Sequence, residues 1–516
     1  MNEGIQLITC WPPPDSDEGD EDVDRRLDCK LESERKRSLI TEGEVVLDSK
    51  HVKRIKNDEE EKQKTTNITA TVAQWWKRNQ ALRKKYENSL PQSSNPNTIL
   101  NSIFRLPETQ EFMKLKLDEL HSSGKCEDSL SLALIGSFYE KLGDLYKARD
   151  YLTKAIEIQC DAQSNLIKEW KWLLHKIRKK IEIAGLQKSA TDELNKRSPV
   201  TELKLPTSLP VERRSVEDLS VNEFIAEYSM KSKPVIITGL ASKMSDKPFN
   251  IERLQKLAGD CPVTLKKLVT DSAEWAQLED AESMKLSAFI DYISNGNIDR
   301  YLFDWSLPIH CPDLVKDLKI PRYFSGDFLQ RTSAGSLYKD SWPSLFVAPV
   351  GIRSELHVDA FGSNFWMALF QGKKRWVFFS KDDLPYLYPD YTHSMDPVFS
   401  VDLSEPDFDK YPLLRLTKPM ECILQEGDVL FVPAGCPHRV ENLEKSIAIS
   451  ANFVDKSNFD SVKKELAINA LIDSRAAELL NQFENPKFSD ESISNTSDNC
   501  TCTSWFDFKN PELNKS

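Results

Sequence analysis

The hydrophobic pattern divides the chain into a helical first part and a β-rich second part. From about residue 72 to 187 apolar residues recur at spacings of three and four, and Gly and Pro are scarce. That is the 3.6-residue period of amphipathic helices. The stretch Asn165 to Ala184, with Trp170, Trp172, Leu173 and Leu174, reads as a helix that covers a helical hairpin before it. A polar segment with three prolines then reads as a linker over 188–215, or as a chain that wraps a neighbouring surface. Beyond it, Val221–Tyr228 predicts a helix, and Lys233–Gly239 (KPVIITG) a strand. Short runs rich in Val, Ile and Phe follow between Pro and Gly turns: Ser344–Val350, Phe365–Phe370, Arg375–Ser380, Glu421–Leu424, Val429–Val432 and Ser446–Phe453. A helix over Phe459–Leu480 and a polar tail end the pattern.

Many short strands without regular intervening helices predict a mainly β domain of the jelly-roll, cupin-like class, a double-stranded β-helix. The predicted organisation is a disordered acidic and mixed-charge segment over 1–70 and an α-helical domain over 71–187. The linker of 188–215, a β domain over 216–458, a C-terminal helix over 459–485 and a polar tail over 486–516 follow. Inside the helical domain, Leu132-x2-Ile135-Gly136-x2-Tyr139-x3-Gly143-x4-Ala148-x3-Leu152-x2-Ala155 is similar to one tetratricopeptide repeat (132–160). Small residues there let two antiparallel helices approach closely. One repeat does not make a solenoid, so a helical hairpin in a small bundle is expected, with a peptide or protein partner left open.

Composition narrows the classes. The 516 residues suffice for two or three domains, and the hydrophobic fraction of 40% is a globular value. The net charge of -12 argues against gripping nucleic acid through the whole surface. No run of about eighteen apolar residues occurs, so no membrane span is expected. The amino terminus has no basic-then-apolar leader. Ten scattered cysteines fit reduced thiols in the cytoplasm or nucleus. The pair Cys500 and Cys502 does not complete a zinc site.

The candidate chemistry lies in the β-rich part. His357 and Asp359 sit two apart, and His438 lies some eighty residues on. Two imidazoles and one carboxylate form the facial ligand set of non-haem Fe(II). Residues i and i+2 of an extended segment face the same side, so His357 and Asp359 can share one metal. The next strand leads past Gly372 to Lys374 inside an apolar run. A cation facing a barrel interior is costly unless an anion meets it, and a dicarboxylate co-substrate would be such an anion. His438 follows a Pro/Gly corner after Gly-Asp-Val-Leu-Phe-Val-Pro. His310 and His393 lie in loop-like segments without paired ligands, and Trp75, Trp76 and Trp505 read as packing anchors.

Taken together, Lys-Pro-Val-Ile-Ile-Thr-Gly, Tyr301-Leu-Phe-Asp, Ile320-Pro-Arg-Tyr-Phe, the H-x-D segment, Gln371-Gly-Lys-Lys374-Arg-Trp and the His438 segment resemble the JmjC (cupin-like) Fe(II)/2-oxoglutarate oxygenases. The resemblance covers roughly 216 to 460 and is to the small hydroxylase branch. That branch includes factor inhibiting HIF and the phosphatidylserine-receptor-type lysyl hydroxylase. It implies His357, Asp359 and His438 as iron ligands, and Lys374, rather than Lys373, as the partner of the far carboxylate of 2-oxoglutarate. It further implies co-substrate contacts from Ser354, Tyr301 and Asn364, and positions for Ser450 and Asn452 along the last strand. Departures are Ala360 for a proline after the Asp, Cys436-Pro437 for an aromatic pair, and Met367 for an asparagine.

The function so implied is a dioxygenase that uses Fe(II), 2-oxoglutarate and O2 to hydroxylate a protein side chain, releasing succinate and CO2. Three other readings are an N-methyl-lysine or N-methyl-arginine demethylase, a tRNA-base hydroxylase, and a non-catalytic JmjC binding module. No chromatin-reader pattern supports the first, the acidic balance speaks against the second, and an intact ligand set speaks against the third. A homodimer through the C-terminal helix is expected by analogy with related hydroxylases.

Overall fold

The computed structural model describes residues 74–75, 77–86, 93, 96–122, 128–159, 164–196, 204–391, 394–485 and 501–510. The segment 1–70, His393, Trp76 and Cys500 lie outside the described residues. The chain forms two compact units, one of residues 1–90 and 99–159 and one of residues 91–98 and 160–516.

The first unit is helical. Helices Pro107–Ser122, Ser129–Leu142 and Leu145–Ile158 bury a core that includes Trp75, Met113, Ile135 and Phe138. Asp128 caps the second helix by accepting from the Ser131 amide, and Gly143, at φ 85°, ends it. Asp144 then caps the third by accepting from the Lys147 amide. The two helices fold back on each other so closely that a Cβ on Gly136 would lie 2.9 Å from Leu152 Cγ.

In the second unit, the helix expected to end near Ala184 runs over Asn165–Lys196, into the segment read as linker. Its apolar positions Ile167, Trp170, Leu173, Leu174 and Ile177 keep one stripe buried. Gln187 Nε2 donates to the Pro385 carbonyl (2.8 Å), which ties this helix to the β domain. In the rest of that segment, Leu209–Pro210 (β1) and Glu212–Ser215 (β2) each add an edge strand to one of the two sheets.

Two sheets form the β domain. The other strands of these two sheets are Val235–Thr238 (β3), Leu302–Ser306 (β4), Ser344–Ala348 (β5), Arg353–His357 (β6), Asn364–Gln371 (β7), Lys373–Phe378 (β8), Met420–Gln425 (β9), Val429–Val432 (β10), His438–Asn442 (β11) and Ser446–Phe453 (β12). One sheet has the order β1-β9-β8-β11-β6, the other β2-β3-β10-β7-β12-β5-β4. Their facing sides share a core of Ile236, Phe346, Met367, Trp376, Leu424 and Leu430, among others. Neighbours of opposite parity, such as Ile237, Trp366, Phe431 and Ile449, pack on the outer side with Phe224, Leu254 and Phe289. These come from the helical turns Val221–Phe224, Ile251–Ala258 and Leu286–Ser294. With both faces covered, the seven-stranded sheet reads as continuous apolar runs rather than alternation.

The helix expected over 459–480 is two helices, Phe459–Asn469 and Ser474–Phe483. The tail read as polar is partly structured: Cys502–Ser504 pairs antiparallel with Lys319–Pro321, and Phe508 is buried in the core beside Trp505. Among the described residues no helix is long and apolar enough to cross a membrane.

Candidate metal centre

His357 ends β6 and His438 begins β11, and the two pair directly across the antiparallel ladder. Asp359 stands two residues past His357, before the short turn Ala360–Gly362. Ligand atoms of the three side chains lie within 4.8 Å of one another. All three residues are buried, at 3%, 7% and 2% exposure for His357, Asp359 and His438. His357 Nδ1 donates to the Glu355 carbonyl (2.6 Å) and His438 Nδ1 to the Cys436 carbonyl (2.9 Å). A carbonyl can only accept, so each ring carries its proton on Nδ1 and offers the Nε2 lone pair to a metal.

Burial shapes the charges here. It pushes Asp359 up to about 7 and His438 down to about 4. His357 is held well below the usual imidazole range by burial and by His438 beside it. Asp359 has no ion pair among the described residues. Two neutral imidazoles and a buried carboxylate without a cation suit a divalent metal of the Fe(II) kind, whose charge would restore the carboxylate to its ionised form. Trp275 closes one side, its ring 4.3 Å from His357 and its Nε1 donating to the Val358 carbonyl (2.8 Å).

Behind the ligands lies a second polar group. Lys374, on β8, is fully buried, and its Nζ donates to Asn442 Oδ1 (2.6 Å) and Tyr301 Oη (3.2 Å). No carboxylate meets it among the described residues, and burial pushes it down to about 7. Burial raises the Tyr301 hydroxyl. Asn442 is held by donating to the Ile352 carbonyl (2.8 Å) and accepting from Ser446 Oγ (2.7 Å). Two buried donors nearby have no partner, Ser450 Oγ and Trp376 Nε1. Ser450 shares inward parity with Ala448 on β12, and Trp376 shares it with Lys374 on β8. A lysine bonded only to neutral oxygens and two unused donors in one interior fit an anionic ligand rich in oxygen, which is the chemistry of 2-oxoglutarate.

A cavity of about 450 Å³ runs past the ligands and is lined by Tyr301, Ser354, Met367, Trp376 and Asn452, among others. Ser354 and His357 have opposite parity along β6, yet both line this cavity. The ladder explains it: Ser354 to His357 on β6 is matched by only Val440 to His438 on β11, so one extra residue turns the strand. Asn452 Nδ2 donates to Ser363 Oγ (2.7 Å). Asn364 is placed elsewhere. Its amide donates to Asp455 Oδ1 (3.1 Å) and Ser457 Oγ (3.0 Å) and accepts from the Ala434 amide (2.9 Å). It has the outward parity of Trp366 and Ala368, so it braces the strand instead of facing a co-substrate.

Several site residues were not anticipated. Asn442 was the most legible, since His438, Val440 and Asn442 share one face by period two. Trp275, Asp304 and Asp396 reach the cavity from separate segments, with no local signal. Burial pushes Asp304 and Asp396 each up to about 6. His310 stacks on Trp305 at 5.3 Å and takes no part in the centre.

Comparison with known proteins agrees with this geometry. A model of the cupin-like domain matches residues 221–459. The lysine-specific demethylase JMJ21 of Arabidopsis thaliana is 30% identical over 264 residues, 50% of this chain and 26% of that protein. The bifunctional arginine demethylase and lysyl-hydroxylase psr-1 of Caenorhabditis elegans is 26% identical over 266 residues, 49% of this chain and 63% of that protein. The 2-oxoglutarate and iron-dependent oxygenase JMJD4 of Mus musculus is 34% identical over 187 residues, 34% of this chain and 42% of that protein. The matched part therefore spans less than two thirds of each of these relatives. Over residues 221–459 the chain is thus similar to a cupin-like domain, and the relatives it matches over half of its length or less are named as demethylases, a lysyl-hydroxylase and a 2-oxoglutarate- and iron-dependent oxygenase.

Proposed function

We propose that the protein is an Fe(II)- and 2-oxoglutarate-dependent dioxygenase that hydroxylates a protein side chain. The balance is R–H + 2-oxoglutarate + O2 to R–OH + succinate + CO2. The observation that carries this reading is the buried Lys374 ammonium with Tyr301 and Asn442, set behind the three ligands and lacking an anion.

When bound, the iron supplies the redox chemistry that couples decarboxylation of 2-oxoglutarate to insertion of one oxygen atom into a C–H bond. The chain's own residues do the rest. His357, Asp359 and His438 would hold the metal, their tautomers set by the Glu355 and Cys436 carbonyls. Lys374 pairs with the far carboxylate, while Ser354, Ser450 and Trp376 offer further donors to the same ligand. Trp275, Phe365 and Phe378 crowd the imidazoles and keep water from them.

Succinate formation with Fe(II) and 2-oxoglutarate tests the reading. Wild-type protein is expected to turn over 2-oxoglutarate, His357→Ala to lose turnover, and Lys374→Ala to raise the KM for 2-oxoglutarate at least about ten-fold. Equal turnover by wild type and His357→Ala would remove the enzyme reading. The names of JMJ21 and psr-1 favour demethylation as a second reading. Hydroxylation leaves +16 Da on a captured peptide, whereas demethylation releases formaldehyde. A protein substrate, a protein partner for the tetratricopeptide-like hairpin and a cytoplasmic or nuclear setting belong to the same proposal.

A further inference from the structure

The loop that carries Trp275 is held in place by residues outside 221–459. It joins two antiparallel strands, Pro262–Leu268 and Leu278–Lys285, and the Val269 amide donates to the Gln277 carbonyl (3.0 Å) to close its base. Within it Asp271, Ala276 and Gln277 have φ of 59°, 55° and 56°, the left-handed region that side chains rarely occupy. Backbone of this kind persists only where its surroundings dictate it. On one side the surroundings are the metal ligands. Trp275 packs on the His357 ring, and its Nε1 donates to the Val358 carbonyl, which lies between His357 and Asp359 in the chain.

On the other side stands a buried carboxylate ringed by hydroxyls. Glu279, the second residue of the returning strand, is 1% exposed. Its Oε1 accepts from Ser272 Oγ (2.6 Å) and from Ser93 Oγ (2.5 Å), and Thr98 Oγ1 lies at the longer distance of 3.5 Å. Thr98 Oγ1 accepts from the Ala273 amide (2.9 Å), and Ser272 Oγ accepts from the Glu274 amide (3.1 Å). The two amides before Trp275 are therefore each held by a hydroxyl, and both hydroxyls face Glu279. A hydroxyl that gives its proton to a carboxylate keeps its lone pairs for an N–H, so the two tasks fit together. Ser93 and Thr98 fall within residues 91–98, which belong to the second compact unit although they precede the residues matched by the cupin-like domain.

We propose that Glu279, Ser272 and Thr98 are positioning residues of the metal centre, acting through Trp275, and that the centre draws on a segment outside the cupin-like domain. The carboxylate orients the hydroxyls, the hydroxyls fix two successive amides, and the amides set where the indole stands. The indole in turn fixes the peptide group between two ligands, and with it the directions in which His357 and Asp359 point. None of the three positioning residues lines the cavity. Partners of ligands at this remove are worth about ten- to a hundred-fold in metal affinity. The proposal rests on the metal centre of the oxygenase reading above.

Mn(II) affinity and the visible spectrum of the Co(II)-loaded full chain test it. Thr98→Val keeps the side chain's shape and removes the acceptor of the Ala273 amide. It is expected to weaken Mn(II) binding about ten-fold and to shift the Co(II) bands. Thr98→Ser, which restores the acceptor, should bind as the wild type does. Trp275→Phe should reproduce the loss, and adding Thr98→Val to it should cost nothing further, because the threonine acts only through the indole. Ser272→Ala, which releases the Glu274 amide, carries the same expectation, so the test stands even if Thr98→Val does not fold. Wild-type Mn(II) affinity and Co(II) bands in a folded Thr98→Val or Ser272→Ala, or losses that add in the double variant, would overturn the proposal. A wild type that binds no Mn(II) would overturn the metal centre and this proposal with it. A wild type that binds Mn(II) but forms no succinate would remove the oxygenase reading alone.

Discussion

Lys374 is the residue whose environment says most about function. A lysine at 0% exposure, bonded only to neutral oxygens, is a site prepared for an anion that arrives later. Its pH behaviour follows. In the free protein burial holds it at about 7, so above that pH it is largely neutral. Pairing with a carboxylate favours the ammonium, so binding above pH 7 must take up a proton. Affinity for 2-oxoglutarate is therefore expected to fall as pH rises above 7, approaching about ten-fold per unit. Calorimetry in buffers of different ionisation enthalpy would record the proton uptake. Lys374→Arg, charged throughout, should flatten the profile even if affinity drops. A pH-independent affinity in the wild type would mean that Lys374 is not the carboxylate's partner. Asn364 is the opposite case. Its resemblance to a co-substrate residue was sequence-deep, but the parity of its strand turns it away, and its amide is used by Asp455, Ser457 and Ala434.

Between strands, Gly372 does what no other residue type could do there. β7 and β8 are consecutive in the chain yet lie in different sheets, and Gly372 is the corner between them. Its φ is 87°, and an added Cβ would lie 2.3 Å from the Lys445 carbonyl oxygen. Both the dihedral and the clash exclude a side chain. Gly372→Ala is expected to cost about 2–4 kcal/mol in urea unfolding. It should also weaken 2-oxoglutarate binding, because Lys374 is two residues on. A variant with wild-type stability would refute the corner's role. The local motif Gln-Gly-Lys-Lys made this turn legible, whereas the pairing of Lys374 with Asn442 depends on the register of β8 against β11. Register is set by which faces find a core, and that is not a local property.

The β domain as a whole holds an enclosed, uncompensated ligand set, so a metal should stabilise it. Loading with Fe(II) or Mn(II) at about a hundred times Kd is expected to add about 2.7 kcal/mol to unfolding. A chelator should reverse the shift, and His357→Ala should abolish it. A melting temperature indifferent to metal in the wild type would contradict the centre. The hydrophobic periods alone separated a helical from a β-rich part, and the seven strands they delimited lie within a few residues of their expected places, whereas Pro262–Leu268 and Leu278–Lys285 were not expected. The three ligands were legible too, because H-x-D needs only the two-residue period of a strand, and the His438 corner carries its own Pro and Gly signals. The strands in the segment read as a linker or a wrapping chain were not legible, since Leu209–Pro210 and Glu212–Ser215 become strands only when sheet edges accept them. Nor was the tail, where Phe508 is polar-flanked in sequence and buried only against a distant core. The cavity wall is the clearest instance: Asp304, Tyr338, Phe361 and Asp396 lie far apart in the chain and share one space only because sheets and loops close around it. Periodicity is written in neighbouring residues and can be read there. Enclosure is a sum over distant segments, so the chain alone revealed the three candidate metal ligands, and folding assembled the cavity around them.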